Sequence, residues 1–247
     1  MLEDSLLLLA CLFLIVGALY ASVGHAGASG YLAVMTFVGI EATVMRPTAL
    51  CVNIVVAAIA LGHFWRAGHF RWSLLWPFAA TSIPAALLGG WIELPARWLK
   101  LAIGVVLLAS AARLAWTALR PPRDPASPKP PSVPIAMACG AVLGFVAGLT
   151  GTGGGVFLSP LLLLFNWADT KRTAAVSAMF ILLNSIAGIG GVAMRGWTPS
   201  GSVALLALTA AVGGWIGAWY GSRRAAPATL RLLLAAVLVM AGAKLAA

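Results

Sequence analysis

The chain has 247 residues, 62% of them hydrophobic and 9% charged, with a mean hydropathy of +1.00. This excludes an ordinary soluble domain, because apolar stretches long enough to cross a bilayer recur along it. The formal charge of +10 arises from 16 basic against 6 acidic residues. The basic residues lie between the apolar runs, where they orient a chain against a membrane, so nucleic-acid binding is not expected.

The chain opens "MLEDSLLLLACLFLIVGALY". A signal peptide begins with positive charge and ends in a cleavage site. Here Glu3 and Asp4 precede a long apolar run, so a retained first helix is expected. Long segments follow at Leu6–Val23, Pro47–Trp65, Trp72–Ile92 and Trp98–Leu119. "RPPRDPASPKPPSVP" must be a loop, because proline and polar residues dominate it. Beyond it lie Val133–Leu149, Thr173–Met194, Ser200–Tyr220 and Thr229–Ala247. Two shorter runs, Tyr31–Ile40 and Val156–Trp167, each follow a glycine-rich break and are too short to span comfortably alone. The cysteines Cys11, Cys51 and Cys139 all lie in apolar runs, without disulfide or zinc spacing.

The order of segments is the same on both sides of the proline loop. "PAALLGGWI" aligns with "VGGWIGAWY", placing Gly89 on Gly217. "RWLKLAIGVVLLASAARL" aligns with "ATLRLLLAAVLVMAGAKL", and "GASGYLAV" with "GGGVFLSP". Residues 1–120 and 133–247 are thus read as two repeats joined by a cytoplasmic linker, 121–132. If each short run crosses the membrane, each half has five passes and the halves are inverted. Eleven basic residues then face the cytoplasm: Arg66, Arg71, Arg113, Arg120, Arg123, Lys129, Lys171, Arg172, Arg223, Arg224 and Arg231. Five face outward: Arg46, Arg97, Lys100, Arg195 and Lys244. If the short runs only dip in and return, the split becomes eight to eight. Positive charge concentrates inside, so the inverted arrangement is preferred, with the N-terminus outside. The fold expected is an all-α polytopic membrane protein of two inverted repeats, each with four long helices and one short broken helix. Such repeats, with helices broken near the midplane, mark secondary transporters.

The breaks are "SVGHAGASG" and "GLTGTGGG". A helix beginning after either leaves its first N–H groups without intrahelical partners, at the positive end of its dipole. Glycines let a ligand approach the backbone closely. Bare donors, a positive dipole end and small side chains make an anion site. The expected contacts are the N–H groups of Ser29–Tyr31 and Gly154–Val156, with Gly24, Gly27, Gly30, Gly151, Gly153 and Gly155 shaping the backbone. Close helix packing is the alternative use of such glycines, and Gly213, Gly217 and Gly221 are read that way.

His25 lies inside the first break, where its counterpart is glycine, and is the one obvious intramembrane titrating group. Ser29, Thr150 and Thr152 offer hydroxyls beside the same donors. Asn53, Ser177 and the deeper Asn184 either line the path or bridge helices. Arg46 begins one following helix and Arg172 its counterpart, so each would attract anions to its own entrance; interface anchoring is the alternative. No carboxylate lies mid-membrane, which disfavours a cation site and a carboxylate proton relay. No nucleophile–base pair, metal-ligand cluster or Walker A lysine appears, so neither an enzyme nor a cofactor is expected.

Gly148, Gly151, Gly153, Gly154, Gly155, Pro160 and Leu161 in "GLTGTGGGVFLSPLL" resemble the TauE/SafE sulfite exporters, as does "GGWIGAWYGSR". A weaker first-half copy holds Gly24, Gly27 and Gly30. The resemblance implies an inner-membrane permease for sulfur-containing anions such as sulfite or organosulfonates, with some members importing. The expected partners are a small anionic substrate, the lipid bilayer, a coupling proton or ion, and a second copy in a homodimer. Import of another small anion and a non-transporting membrane anchor are the alternatives.

Overall fold

The computed structural model describes residues 2–119 and 128–223, with 238, 239 and 243. These residues form nine helices and no strand: α1 (Leu2–Ala21), α2 (Ala28–Val38), α3 (Ala42–Arg66), α4 (Trp72–Trp91), α5 (Ala96–Leu119), α6 (Val133–Thr150), α7 (Gly155–Leu164), α8 (Thr170–Ala193) and α9 (Gly201–Arg223). Among them α3, α4, α6, α8 and α9 are each long and apolar enough to cross a membrane. The short α2 and α7 stand where the sequence places them. The last expected segment, Thr229–Ala247, falls outside the described residues except for 238, 239 and 243, and the linker arginines Arg120 and Arg123 fall outside them.

Glycine decides which helices touch. On α9, a Cβ at Gly213, Gly217 or Gly221 would collide with the carbonyls of Leu14, Ala18 and Ser22 on α1. On α6, a Cβ at Gly140, Gly144 or Gly148 would collide with the carbonyls of Phe78, Ser82 and Ala86 on α4. Residue numbers climb together in both rows, so α1 runs parallel to α9 and α6 parallel to α4. Small residues at four-residue spacing permit this backbone-to-backbone approach in lipid. The packing use expected of Gly213, Gly217 and Gly221 is what the structure shows.

In addition, α4 lies on α8, α9 lies on α3, and α3 and α8 pack on each other. Each contact has its counterpart in the other half. An Arg195–Glu93 ion pair holds the end of α8 beside the end of α4. Lys171 Nζ donates to the Gly221 carbonyl at 2.7 Å and holds the start of α8 beside the end of α9. The ends of α4 and α9 therefore lie at opposite faces, and α1 runs opposite to α6. We call the face with Glu93 and Arg195 face 1, and the face with Lys171 and Gly221 face 2.

Phe13, Tyr31, Phe78 and Phe180 are fully buried, with Phe13 stacked on Tyr31 at 4.5 Å between ring centroids. Trp72, Trp91, Trp98, Trp116, Trp215 and Trp219 are exposed. They cluster towards helix ends, as rings seated at a membrane interface do.

Candidate functional site

Both breaks turn on the same pair of glycines. Gly24 and Gly27 take left-handed φ angles of 78° and 96°, and Gly151 and Gly154 take 82° and 77°. Gly27 caps the start of α2 and Gly154 the start of α7, neither with a side-chain cap. L-residues pay a steric penalty in this region, so glycine is the residue that serves. The Gly151 N–H closes α6 onto the Ala147 carbonyl at 2.9 Å.

The caps match the two breaks differently from residue similarity, by one residue. Matching cap to cap sets Gly27 on Gly154, whereas the alignment of "GASGYLAV" with "GGGVFLSP" sets it on Gly153. His25 then faces Thr152 as its counterpart, not a glycine. The contacts agree: a Cβ at Gly24 would strike the backbone of Ala174, and one at Gly151 the backbone of Arg46. Under the cap-to-cap match Arg46 pairs with Ala174.

The free donors begin one residue earlier than expected at α2 and one residue later at α7. The Tyr31 N–H donates to the Gly27 carbonyl at 2.9 Å, and the Phe157 N–H to Gly154 at 3.1 Å. The N–H groups without an intrahelical acceptor are those of Ala28–Gly30, Gly155 and Val156.

His25 joins the two breaks. Its Nδ1 lies 3.0 Å from the Val23 carbonyl and donates to it whenever Nδ1 carries the proton. Its Nε2 lies 3.2 Å from the Gly155 carbonyl at the start of α7 and 2.9 Å from Ser159 Oγ. Ser159 Oγ lies 2.8 Å from Ser177 Oγ on α8 and 3.0 Å from the Gly155 carbonyl. In a neutral ring with its proton on Nδ1, Nε2 accepts from Ser159; with its proton on Nε2, it donates to the Gly155 carbonyl or Ser159 Oγ. In the charged ring, Nε2–H donates, and Ser159 turns its proton to Gly155 or Ser177.

Tyr20, His25, Gly27, Ser29 and Thr152 share a pocket of about 10 Å³, with Val156 and Ile181 closing it. That is about the smallest space a water can occupy. Ser29 donates to Tyr20 Oη at 3.0 Å, and Thr150 and Thr152 hydroxyls lie 3.0 Å apart. Asn53 Nδ2 reaches the Gly151 carbonyl at 3.4 Å. A Cβ at Gly153 would lie 3.1 Å from both Asn53 Nδ2 and Ser185 Oγ. Asn53 Oδ1 and Ser185 Oγ are fully buried and have no hydrogen-bond partner among the described residues. Asn184 Oδ1 is likewise unpartnered, while its Nδ2 donates to Phe180. The structure thus gathers Gly24, His25, Gly27, Ser29, Asn53, Thr152, Gly155 and Ser177 around the two breaks. Gly30 instead packs against Val16 and Tyr20.

Sequence reasoning missed Tyr20, Ser159 and Ser185. Each sits singly in an apolar run, and only Ser159 carried a signal, one turn after Gly155 beside Pro160.

Arg46 and Arg172 begin corresponding stretches of sequence but stand in different surroundings. Arg46 is buried and donates to carbonyls only: Gly148 at 3.1 Å, Ile92 at 3.1 Å, Gly89 at 2.7 Å, and Gly90. It caps the end of α4, whose last carbonyls lack helical partners. Arg172 lies in the first turn of α8, its Nε 3.0 Å from Asp169 Oδ2, and its N–H is capped by Asp169 Oδ1 at 2.8 Å. Its charge is neutralised locally.

A family model described as sulfite exporter TauE/SafE matches residues 9–245. The chain belongs to the TauE/SafE family. It is 41% identical over 239 residues to a probable membrane transporter protein of Sinorhizobium fredii, covering 96% of both chains. It is also 29% identical over 250 residues to a probable membrane transporter protein of Bacillus subtilis, covering 94% of this chain and 96% of that one. No solved structure matches it significantly. The protein is thus a multi-pass membrane transporter, and the stretch that carries the TauE/SafE resemblance forms the end of α6, the second break and α7. Ser159→Ala in this TauE/SafE chain should lower thermal stability by about 1 kcal/mol, since His25 and Ser177 both lose a hydrogen-bond partner. An unchanged unfolding midpoint in detergent would show that water replaces the hydroxyl.

Proposed function

We propose that the protein is a secondary transporter exporting small sulfur-containing anions, such as sulfite or organosulfonates, across the bacterial inner membrane. Two inverted repeats alternate access to a central site built from the N-termini of α2 and α7. The observation that carries this is the His25–Gly155 contact, which brings two glycine-capped helix starts into one buried pocket. Such termini offer bare N–H groups and positive dipole ends to an anion. The exchange of helix contacts between the halves, and the opposed courses of α1 and α6, support the inverted arrangement. The family match supports sulfur oxyanions as the substrate class. In this topology face 1 is extracytoplasmic and face 2 cytoplasmic, with the N-terminus outside. A coupling proton would be held at His25, relayed through Ser159 to Ser177.

The test is flux through purified full-length protein in vesicles, across sulfite, alkanesulfonates, carboxylates, cations and neutral solutes. Saturable, mutually competing flux of sulfite and sulfonates is expected. Transport of cations or neutral solutes without any anion would overturn the proposal.

A further inference from the structure

The central pocket is small, whereas a cavity of about 330 Å³ lies at face 1. It lies between the start of α3, the α4–α5 turn and the α8–α9 turn, and is lined by Arg46, Glu93, Leu99, Arg195 and Trp197. Its size matches a small-ligand pocket. Its lining carries two guanidinium groups and one carboxylate.

The two arginines differ in what they hold. Arg46 uses four N–H bonds on carbonyls, which satisfy its donors without cancelling its charge. A guanidinium has five donors, so one on Nη1 remains. Arg195 binds Glu93 across the mouth, from the second half to the first. The side chain of Glu93 is 76% exposed and that of Arg195 28%. Ion pairs this open contribute little to stability and are readily exchanged. A carboxylate and a sulfur oxyanion offer Arg the same two-oxygen geometry.

The matching place at face 2 is filled. Ala174 and Ala175, the counterparts of Arg46 and Pro47, pack there against Phe64 and Phe70. Gly68 and Gly196 follow α3 and α8 with φ angles of 78° and 83°, so the two turns correspond. One fold thus presents a charged cavity at one face and an apolar plug at the other.

We propose that the face 1 cavity is a second anion-binding site, a vestibule in which an oxyanion displaces Glu93 from Arg195 and lies in the field of Arg46. Wherever that anion is the transported one, the vestibule deepens the proposed function. Arg46 also forms the wall to the central site, since its backbone meets Gly151 and its side chain the cavity.

The test uses sulfate, titrated into the purified full-length chain at constant ionic strength, followed by calorimetry and by tryptophan fluorescence. The chain has ten tryptophans, so Trp197→Phe assigns the signal. Glu93→Gln removes the internal competitor from an exposed position and should tighten binding about two- to fivefold. Arg195→Gln should weaken it about tenfold or more. Trp197→Phe should abolish the fluorescence change while calorimetric binding persists. If Glu93→Gln leaves affinity unchanged, or if sulfate does not bind, the vestibule proposal is overturned, even should Arg195→Gln fail to fold. Vesicle flux separates the two proposals. Flux with no Glu93 effect on binding removes the vestibule alone; the expected binding with no anion flux removes the transport assignment alone.

Discussion

Arg46→Ala should cost on the order of 4 kcal/mol and leave little folded protein, whereas Arg172→Ala should cost at most about 1 kcal/mol. The two residues occupy similar positions in sequence but not in space. Removing the Arg46 guanidinium strands the carbonyls of Gly89, Gly90, Ile92 and Gly148 where α4, α6 and α3 meet. Each buried acceptor left without a donor costs about 1–3 kcal/mol. Lysine would restore a charge but not the planar fork, so Arg46→Lys should recover only part of the loss. Arg172 gives up one partly exposed ion pair, and the Asp169 cap on its N–H survives. Thermal unfolding in detergent, with size-exclusion profiles, compares the three variants. Equal losses at positions 46 and 172 would contradict the buried role of Arg46.

Gly154→Leu should abolish flux, and Gly154→Ala should reduce it severely. At φ 77° an L-residue carries a penalty of about 1–2 kcal/mol. Its Cβ would also lie 2.9 Å from Phe180 Cε1 and 3.2 Å from the Leu143 carbonyl. Either strain moves the first N–H groups of α7 relative to His25. Gly62→Ala is the control. Gly62 sits within α3 with open space around its absent Cβ, so alanine there should raise stability by up to about 1 kcal/mol and leave flux intact. Normal flux in Gly154→Leu would show that the break has no part in the transport site.

The helices and the two breaks were legible because length and composition determine both. Their ends were less so. Tyr31 and Phe157 align by residue similarity, but the left-handed caps at Gly27 and Gly154 match the two breaks one residue away. The recurring Gly-x-x-Gly at 24–27 and 151–154 held that information, since a helix ending and another beginning each require positive φ. The surroundings of Arg46 were hidden for a different reason. A basic residue near a helix start looks the same in sequence whether water or the carbonyl end of α4 surrounds it. Tyr20 and Ser185 were invisible because spacing along one helix says nothing of which neighbour its face meets.

The glycine rows also bear on how the protein is made. α1 seats its backbone on α9, and α4 on α6, so the first half cannot complete its packing from its own helices. During synthesis the carbonyl surfaces of Leu14, Ala18 and Ser22 must wait in lipid until residues 213–221 emerge. The two halves are threaded partners, each the scaffold on which the other matures. A chain severed in the linker should therefore reassemble when both pieces are produced together, and neither piece should accumulate alone.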